Sequence, residues 1–257
     1  MIREAATVIL LRRAKPGFEV FFVRRHRGAS FMASSYVFPG GVTEPGEDAR
    51  TAAARELFEE AGVLLAVGAP NAESETLEMA SQEKLRQRVL AGAEATAVLR
   101  LAGLTWATDA LSPWSHWITP SIEAKRFSAR FFVAELPAGQ EPSFDKSETV
   151  DQLWIHADEA IERGAELKLP PPQIRTCWEL SQYSLLDDVL AAAKERAAQP
   201  HPIMPRLAPG EHPRLLLPWD PEYMTAGTGE ATPLTYQPTW AVGPSRFELD
   251  GDRWKHV

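Results

Sequence analysis

The stretch from Gly41 to Val63 constrains the fold most, because it joins a glycine-containing loop to a helix with two unlike faces. A helix is predicted over residues 47–61, after a Pro-Gly turn and with Gly62 just past its end. At about 100° per residue, three carboxylates of this helix fall within one arc of about 100°. They belong to Glu56, Glu59 and Glu60. Alanine, leucine and phenylalanine occupy much of the remaining surface, so that side is predicted to pack in a core.

Three carboxylates placed this closely repel one another, which favours a bridging cation. A site made only of oxygen ligands suits Mg²⁺ or Mn²⁺. The glycine pair Gly40-Gly41 would let the backbone approach the acidic face closely, and Arg55 can pair with Glu47 or Glu59. The alternative is an acidic face in contact with solvent and without a ligand, which is common for glutamates on a helix.

Segments of strand and helix character surround this stretch. Residues 6–23 are a predicted hairpin, because two apolar runs flank a turn at residues 14–17. The other predicted strands are residues 36–38, 114–118, 127–136 and 150–156. The other predicted helices are residues 74–103 (as one or two helices), 158–163 and 174–198, the last two separated by three prolines.

Residues 200–257 differ in composition, since they hold ten of the chain's 21 prolines. They also contain Trp219, Trp240 and Trp254, whereas proline-rich disordered segments lack such apolar side chains. We therefore expect a C-terminal extension that packs on a domain of residues 1–199. It would complete either a substrate cleft or a dimer interface. An Asp-Gly pair at residues 250–251 predicts a hairpin near its end.

Charge and cysteine content exclude several classes of function. With 27 lysines and arginines against 35 aspartates and glutamates, the net charge of -8 is unsuited to non-specific nucleic-acid binding. The single cysteine, Cys177, excludes an internal disulfide. Neither a signal peptide nor an apolar run of about 20 residues is visible. We expect a soluble cytoplasmic protein without nucleic-acid or membrane partners.

The order of residues from Gly41 to Val63 resembles the Nudix box of the Nudix hydrolases. Glu47 stands six residues after the glycine, and the run Arg-Glu-Leu-x-Glu-Glu-x-Gly-Val spans residues 55–63. The resemblance implies a Nudix fold, an α/β (α+β) arrangement in which a mixed sheet is sandwiched between helices. It also implies hydrolysis of a nucleoside diphosphate linked to another moiety.

The same resemblance assigns roles to individual residues. The metal ligands would be one carbonyl oxygen and three carboxylates, from Gly40, Glu56, Glu59 and Glu60. The pair Glu47 and Arg55 would hold the loop to the helix. The cofactor would be Mg²⁺ or Mn²⁺.

An acidic residue outside the box is a further candidate. Glu148 precedes the strand predicted at 150–156, where many Nudix enzymes carry an extra ligand or a general base. Asp145 and Asp151 are lesser candidates, and an ordinary loop carboxylate is the alternative for all three. Glu148 together with Glu56 and Glu59 forms the predicted catalytic set.

Looser matches resemble the subgroup of the family related to the mammalian peroxisomal coenzyme A diphosphatase. They lie at residues 31–41, 117–120 and 125–132, and residues 66–112 would be a helical insertion of that subgroup. This resemblance implies coenzyme A or an acyl-coenzyme A as substrate, giving 3′,5′-ADP and 4′-phosphopantetheine. The alternatives are ADP-ribose, NADH or a nucleotide sugar as substrate, and a non-catalytic ligand-sensing domain.

Three arginines follow the second predicted strand, at a place that leads toward the expected cleft. Arg24, Arg25 and Arg27 are predicted to bind phosphate through forked hydrogen bonds. Ordinary surface charge is the alternative for each. The sequence is compatible with a homodimer and does not fix the oligomeric state.

Overall fold

The structure, a computed structural model, describes residues 1–28, 32–68, 79–145 and 148–257. Phe31, which begins the matched segment 31–41, lies outside these residues. Residues 74–78 of the stretch predicted as one or two helices over 74–103 lie outside them as well. The predictions for Phe31 and for residues 74–78 therefore stay untested, whereas residues 79–103 contain two helices.

The chain begins with a hairpin that is buried over most of its length. β1 (Ile2–Arg13) pairs antiparallel with β2 (Phe18–Arg25), and Leu11 lies opposite Val20. β1 starts before the predicted hairpin, because its first residues pair with a strand that is distant in sequence.

The remaining strands and the helices follow in chain order. The strands are β3 (Tyr36–Val37), β4 (Gly40–Val42), β5 (Ala66–Gly68), β6 (Leu104–Trp106), β7 (Ser112–Ile118), β8 (Arg126–Glu135), β9 (Thr149–Ile155), β10 (Pro202–Ile203), β11 (Arg206–Ala208), β12 (Arg214–Leu216), β13 (Arg246–Asp250) and β14 (Arg253–His256). The helices are α1 (Ala49–Ala61), α2 (Met79–Leu90), α3 (Ala95–Leu101), α4 (Ala157–Glu162), α5 (Gly164–Leu167), α6 (Pro171–Leu180) and α7 (Leu186–Ala197). Residues 66–112, the predicted insertion, contain β5, α2, α3 and β6 in their described part.

One mixed sheet organises the protein and has eight strands among the described residues. Its order is β10-β7-β8-β1-β2-β3, with β4 also on β1 and β9 also on β2. β1 runs parallel to β8, and β10 runs parallel to β7. The other pairs of this sheet are antiparallel.

Helices cover both faces of this sheet. Leu57 of α1 belongs to the same buried cluster as Val8 of β1, whereas Leu180 of α6 shares a cluster with Ile9. Val8 and Ile9 therefore face opposite layers, as the period of two in a strand requires. The predicted α/β (α+β) architecture, with a mixed sheet sandwiched between helices, is confirmed.

Two predicted helices differ from the observed ones for reasons that the structure shows. α1 begins later than residue 47, because the Asp48 carboxylate caps it by accepting two backbone N–H groups. The helix predicted over 174–198 is two helices, α6 and α7, with a turn at residues 181–185. Pro171 lies in the first turn of α6, where a missing N–H costs nothing, so the prolines begin this helix.

The C-terminal segment, residues 200–257, is tied to the remainder at several points. β10 extends the main sheet at β7, and Ile203 and Phe247 are buried in the same cluster as Ile9. β11, β12, β13 and β14 form a second sheet that ends in a hairpin. The Arg175 guanidinium donates to the carbonyls of Trp240 and Pro244 at 3.0 and 2.9 Å.

Over the described ranges, every helix is too short or too polar to cross a membrane.

Candidate active site

Both ends of α1 are fixed, and this sets the direction of its acidic face. Asp48 accepts the N–H groups of Arg50 and Thr51 at the start of the helix. At its end, Gly62 adopts φ 67°, a left-handed conformation that favours glycine, and its N–H bonds to the Phe58 carbonyl. Since the apolar face of the helix is buried, the carboxylates lie on the side next to β4.

Strand β4 brings a glycine pair against two carboxylates. The Gly40 N–H donates to Glu60 Oε2 at 2.9 Å, and Glu60 is only 4% exposed. A Cβ atom on Gly41 would overlap the Glu56 carboxylate, so this close approach requires glycine. The observed contact runs through the N–H of Gly40, and the role of its carbonyl as a metal ligand stays a prediction.

Arg55 lies at the centre of the acidic side chains and is 5% exposed. Its Nε and Nη2 donate to the two oxygens of Glu47 at 2.9 and 3.0 Å, a forked pair that fixes the loop. Its Nη1 donates to Glu56 at 2.9 Å and to Glu59 at 3.3 Å. Its Nη2 also donates to the Val42 carbonyl at 3.0 Å. One guanidinium thus joins the loop, the helix and β4.

The surroundings of the carboxylates disfavour their ionised form. Burial, and after it repulsion by Glu56, raises the pKa of Glu60 to about 8. Burial also raises the pKa of Glu56 to about 7, although Arg55 opposes the shift. The pKa of Glu59 is raised as well, mainly by burial. A bound divalent cation would reverse these shifts, because it favours ionised carboxylates.

A cavity of about 460 Å³ opens in front of these groups, and we name it the acidic cavity. Its charged lining consists of Glu44, Arg55, Glu56, Glu59, Glu60, Asp145 and Glu148. In the part of the chain that the structure describes, no three acidic, histidine or cysteine side chains are already grouped to hold a metal. Arg55 and the Gly40 N–H engage the carboxylates instead. The donor set nevertheless fits Mg²⁺ or Mn²⁺, since every ligand group in this lining is a carboxylate.

Glu148 lines the acidic cavity from the loop before β9. Asp145 orders this loop, because its carboxylate accepts the N–H groups of Glu148 and Thr149 at 3.0 and 2.8 Å. The Asp151 carboxylate, in contrast, accepts the Tyr36 hydroxyl at 2.7 Å and lies outside the cavity lining. Glu148 is exposed, and its carboxylate has no hydrogen-bond partner within the described residues. Of the three candidates, it is therefore the one available to a ligand.

Comparison with known families matches this part of the chain. Residues 45–181, just over half of the chain, match the model of the NUDT19 Nudix domain. The chain belongs to the Nudix hydrolase family. The predicted family is thereby confirmed, and the stretch 41–63, which resembles the Nudix box of this family, is called the Nudix box below.

Individual Nudix relatives agree with this assignment. A Caenorhabditis elegans protein whose name places it among the nudix hydrolases is 32% identical over 189 residues, which cover 70% of this chain and 61% of that protein. The acyl-coenzyme A diphosphatase NUDT19 of Gallus gallus is 29% identical over 277 residues, covering 77% of this chain and 72% of that protein. A crystal structure of a NUDIX hydrolase from Alicyclobacillus acidocaldarius has a TM-score of 0.65 and 25% identity, covering 74% of this chain and 96% of that chain. The predicted Nudix fold is confirmed by this likeness.

Of the three arginines predicted to bind phosphate, the structure brings Arg25 to the Nudix box. Arg25 interacts electrostatically with Glu60 and lines a second cavity beside β4. Arg24 and Arg27 are exposed and lie outside the lining of both cavities. The period of two in β2 turns Arg24 to the opposite face, where its guanidinium lies 5.8 Å from the Tyr36 ring centre.

Two charged residues near the box were not predicted. Arg3 lines the second cavity with Ala5 and Thr7, which share its face of β1. If the first strand had been predicted to begin at Ile2, the period of two would have placed Arg3 on the same face as Thr7. Glu44 lines the acidic cavity from the loop of the box, where nothing in the sequence sets it apart from other loop acids.

The raised pKa of Glu60 predicts how the metal-free protein responds to pH. A carboxyl group whose pKa is higher in the folded than in the unfolded state favours folding while it is protonated. For Glu60 this contribution is complete below the ordinary glutamate pKa of 4.5 and is lost as the pH rises through about 8. In a buffer with a chelator, the urea midpoint of the wild type should therefore fall more, between about pH 5.5 and about pH 8.5, than the midpoint of Glu60→Gln. Equal falls in the two proteins would contradict this expectation.

Proposed function

We propose that this protein is a metal-dependent Nudix hydrolase that cleaves the diphosphate of coenzyme A or an acyl-coenzyme A. The products would be 3′,5′-ADP and 4′-phosphopantetheine or its acylated form. The observation that carries the proposal is the approach of Gly40 and Gly41 to the buried carboxylates of Glu60 and Glu56. Relatives in Gallus gallus and Homo sapiens that are named acyl-coenzyme A diphosphatases support the choice of substrate.

The acidic cavity is the proposed metal site. Glu56, Glu59 and Glu60 would hold Mg²⁺ or Mn²⁺ there. Bound in this place, the cation would neutralise phosphate charge and make a coordinated water more acidic. Arg55 fixes the loop through Glu47, so the carboxylates keep their direction when a diphosphate approaches.

Hydrolysis also requires a group that takes a proton from water, and Glu148 is proposed for this role. Its exposed carboxylate borders the acidic cavity. The water oxygen bonds to one phosphorus, the bridging P–O bond breaks, and the other phosphate leaves with the bridging oxygen. The proton that the water loses passes to Glu148. Glu56 and Glu59 complete the proposed catalytic set as ligands.

A purely ligand-sensing role is disfavoured, because the box keeps all of its acidic residues. These are Glu47, Glu56, Glu59 and Glu60. A sensor would have no need of the buried, mutually repelling carboxylates.

The substrate assignment predicts an order of specificity. In the presence of Mg²⁺ or Mn²⁺, kcat/KM for coenzyme A should exceed that for ADP-ribose, NADH and dephospho-coenzyme A. Mass spectrometry should identify 3′,5′-ADP and 4′-phosphopantetheine as the products. Equal or faster hydrolysis of ADP-ribose would move the assignment to that substrate and leave the diphosphate chemistry intact.

The position of Arg25 adds a quantitative test. Because a hydrogen bond to a charged group contributes about 1.5–3 kcal/mol, Arg25→Ala should lower kcat/KM for coenzyme A by roughly 10- to 150-fold. Arg27→Ala is the matched control, since Arg27 lies outside both cavity linings and should be dispensable. If the two substitutions lower kcat/KM equally, Arg25 does not contact the substrate.

A further inference from the structure

β4 borders a second cavity, of about 510 Å³, which we name the apolar cavity. Gly40 and Gly41 line it, and the same two residues contact Glu60 and Glu56. The acidic and apolar cavities are therefore neighbours, with one glycine strand at their border. A volume of this size is within the usual range for small-molecule sites, about 300–1,000 Å³.

The wall of the apolar cavity is mostly hydrocarbon, and two of its residues each carry a buried polar atom without a partner. Trp117 Nε1 and Gln173 Oε1 are buried and have no hydrogen-bond partner in the described part of the chain. A buried donor and a buried acceptor without partners are both unfavourable. A ligand with amide groups would offer a C=O to the first atom and an N–H to the second once the two side chains turn toward it.

The C-terminal segment supplies one side of this wall. Leu207, Leu215 and Trp254 line the cavity from β11, β12 and β14. Leu207 and Leu215 are partners across the antiparallel pair β11–β12. Because Arg175 ties this segment to α6, the wall is a fixed part of the fold. A domain of residues 1–199 alone would leave this side of the cavity open.

We propose that the apolar cavity binds the pantetheine arm of the substrate, and that Leu207, Leu215 and Trp254 favour arms that carry an acyl chain. This inference rests on the proposed function, which places the diphosphate in the acidic cavity. A pantetheine arm is largely aliphatic and contains two amide groups, so its chemistry matches the apolar wall and the two lining residues that carry unpaired polar atoms. Arg3 and Arg25, which also line the cavity, add positive charge near the phosphate end of such an arm.

Calorimetric titration of the full-length protein with 4′-phosphopantetheine and with 3′,5′-ADP separates the two halves of the substrate. Leu207→Trp, which fills the apolar cavity, should weaken 4′-phosphopantetheine binding by about tenfold or more and leave 3′,5′-ADP binding within about twofold. Met224→Trp is the matched control, because Met224 is exposed on the same segment and lies outside the wall.

A second variant tests the polar contact without filling the cavity. Gln173→Leu removes a buried acceptor that has no partner, so the Tm should hold or rise while 4′-phosphopantetheine binds more weakly. Trp254→Ala should lower the ratio of kcat/KM for octanoyl-coenzyme A to kcat/KM for coenzyme A. An unchanged ratio overturns the acyl part of the proposal.

The cavity assignment and the proposed function can fail separately. If the wild type does not bind 4′-phosphopantetheine, or if Leu207→Trp and Gln173→Leu weaken both ligands alike, the cavity assignment is overturned. Coenzyme A hydrolysis that is unchanged in both variants overturns it too, while the proposed function stands. A selective loss of 4′-phosphopantetheine binding supports the cavity assignment, even if coenzyme A is not hydrolysed and the proposed function falls.

Discussion

Glu60→Gln is expected to lower kcat by about a hundredfold or more at saturating Mg²⁺, with the fold retained. Glutamine keeps the shape of the side chain and removes the negative charge that a cation would need. In the metal-free protein burial already favours the neutral form of Glu60, so the amide should not unfold the helix. Initial rates and thermal melting with and without Mg²⁺ measure both effects.

Glu59→Gln should give a loss of similar size, because Glu59 lines the same cavity. Glu162→Gln is a suitable control, since Glu162 is an exposed helical glutamate outside both cavity linings. If either box variant keeps more than about a tenth of wild-type turnover with metal in excess, that residue is not a ligand.

The second large effect concerns stability. Glu179 is buried on α6 and accepts hydrogen bonds from Arg175 and Arg196, each at 2.9 Å, and from Trp114 Nε1 at 2.8 Å. Burial opposes the ionisation of Glu179, but Arg196 and Arg175 outweigh it and hold its pKa below the usual value. Glu179→Gln would leave two buried guanidinium groups without a counter-charge. We expect the free energy of unfolding to fall by about 3–5 kcal/mol.

Urea unfolding at neutral pH tests this expectation. Glu166→Gln is the control. Glu166 pairs with Arg163 on the surface, and the loss of this ion pair should leave the urea midpoint nearly unchanged. The pKa of Glu179 is lowered in the folded state, so its contribution is present at neutral pH and is lost as the pH falls below the unfolded value. A Glu179→Gln midpoint close to that of Glu166→Gln would show that the buried network does not stabilise the fold.

The sequence predicted α1 well because the signals that form it are local. Acidic residues precede the helix, Gly62 ends it, and the spacing of Glu56, Glu59 and Glu60 follows from the helical period alone. The glycine pair was also visible, because a bulky residue at Gly41 could not approach a carboxylate.

Features that depend on contacts between distant parts of the chain were harder to predict from the sequence. Whether Arg25 or Arg24 lies near the box depends on which face of β2 meets the box. A shift of one residue in the strand register would exchange the two side chains between the faces. The turn between α6 and α7 contains neither proline nor glycine, so the helical pattern runs through it. Leu207 and Trp254 line the same cavity as Gly40 and Gly41 of β4, an arrangement that only the folded chain creates.

The central place of β1 has a consequence for the order in which the chain can fold. Ile2 and its neighbours pair with residues 126–135, so β1 reaches its central place in the sheet only after β8 has been synthesised. Contacts of such long sequence separation slow folding. The hairpin of β13 and β14, which carries Trp254, is synthesised later still. During synthesis α1 can therefore acquire its surroundings before the C-terminal side of the apolar cavity is in place. A chain released early would retain the Nudix box without the surface that closes that cavity.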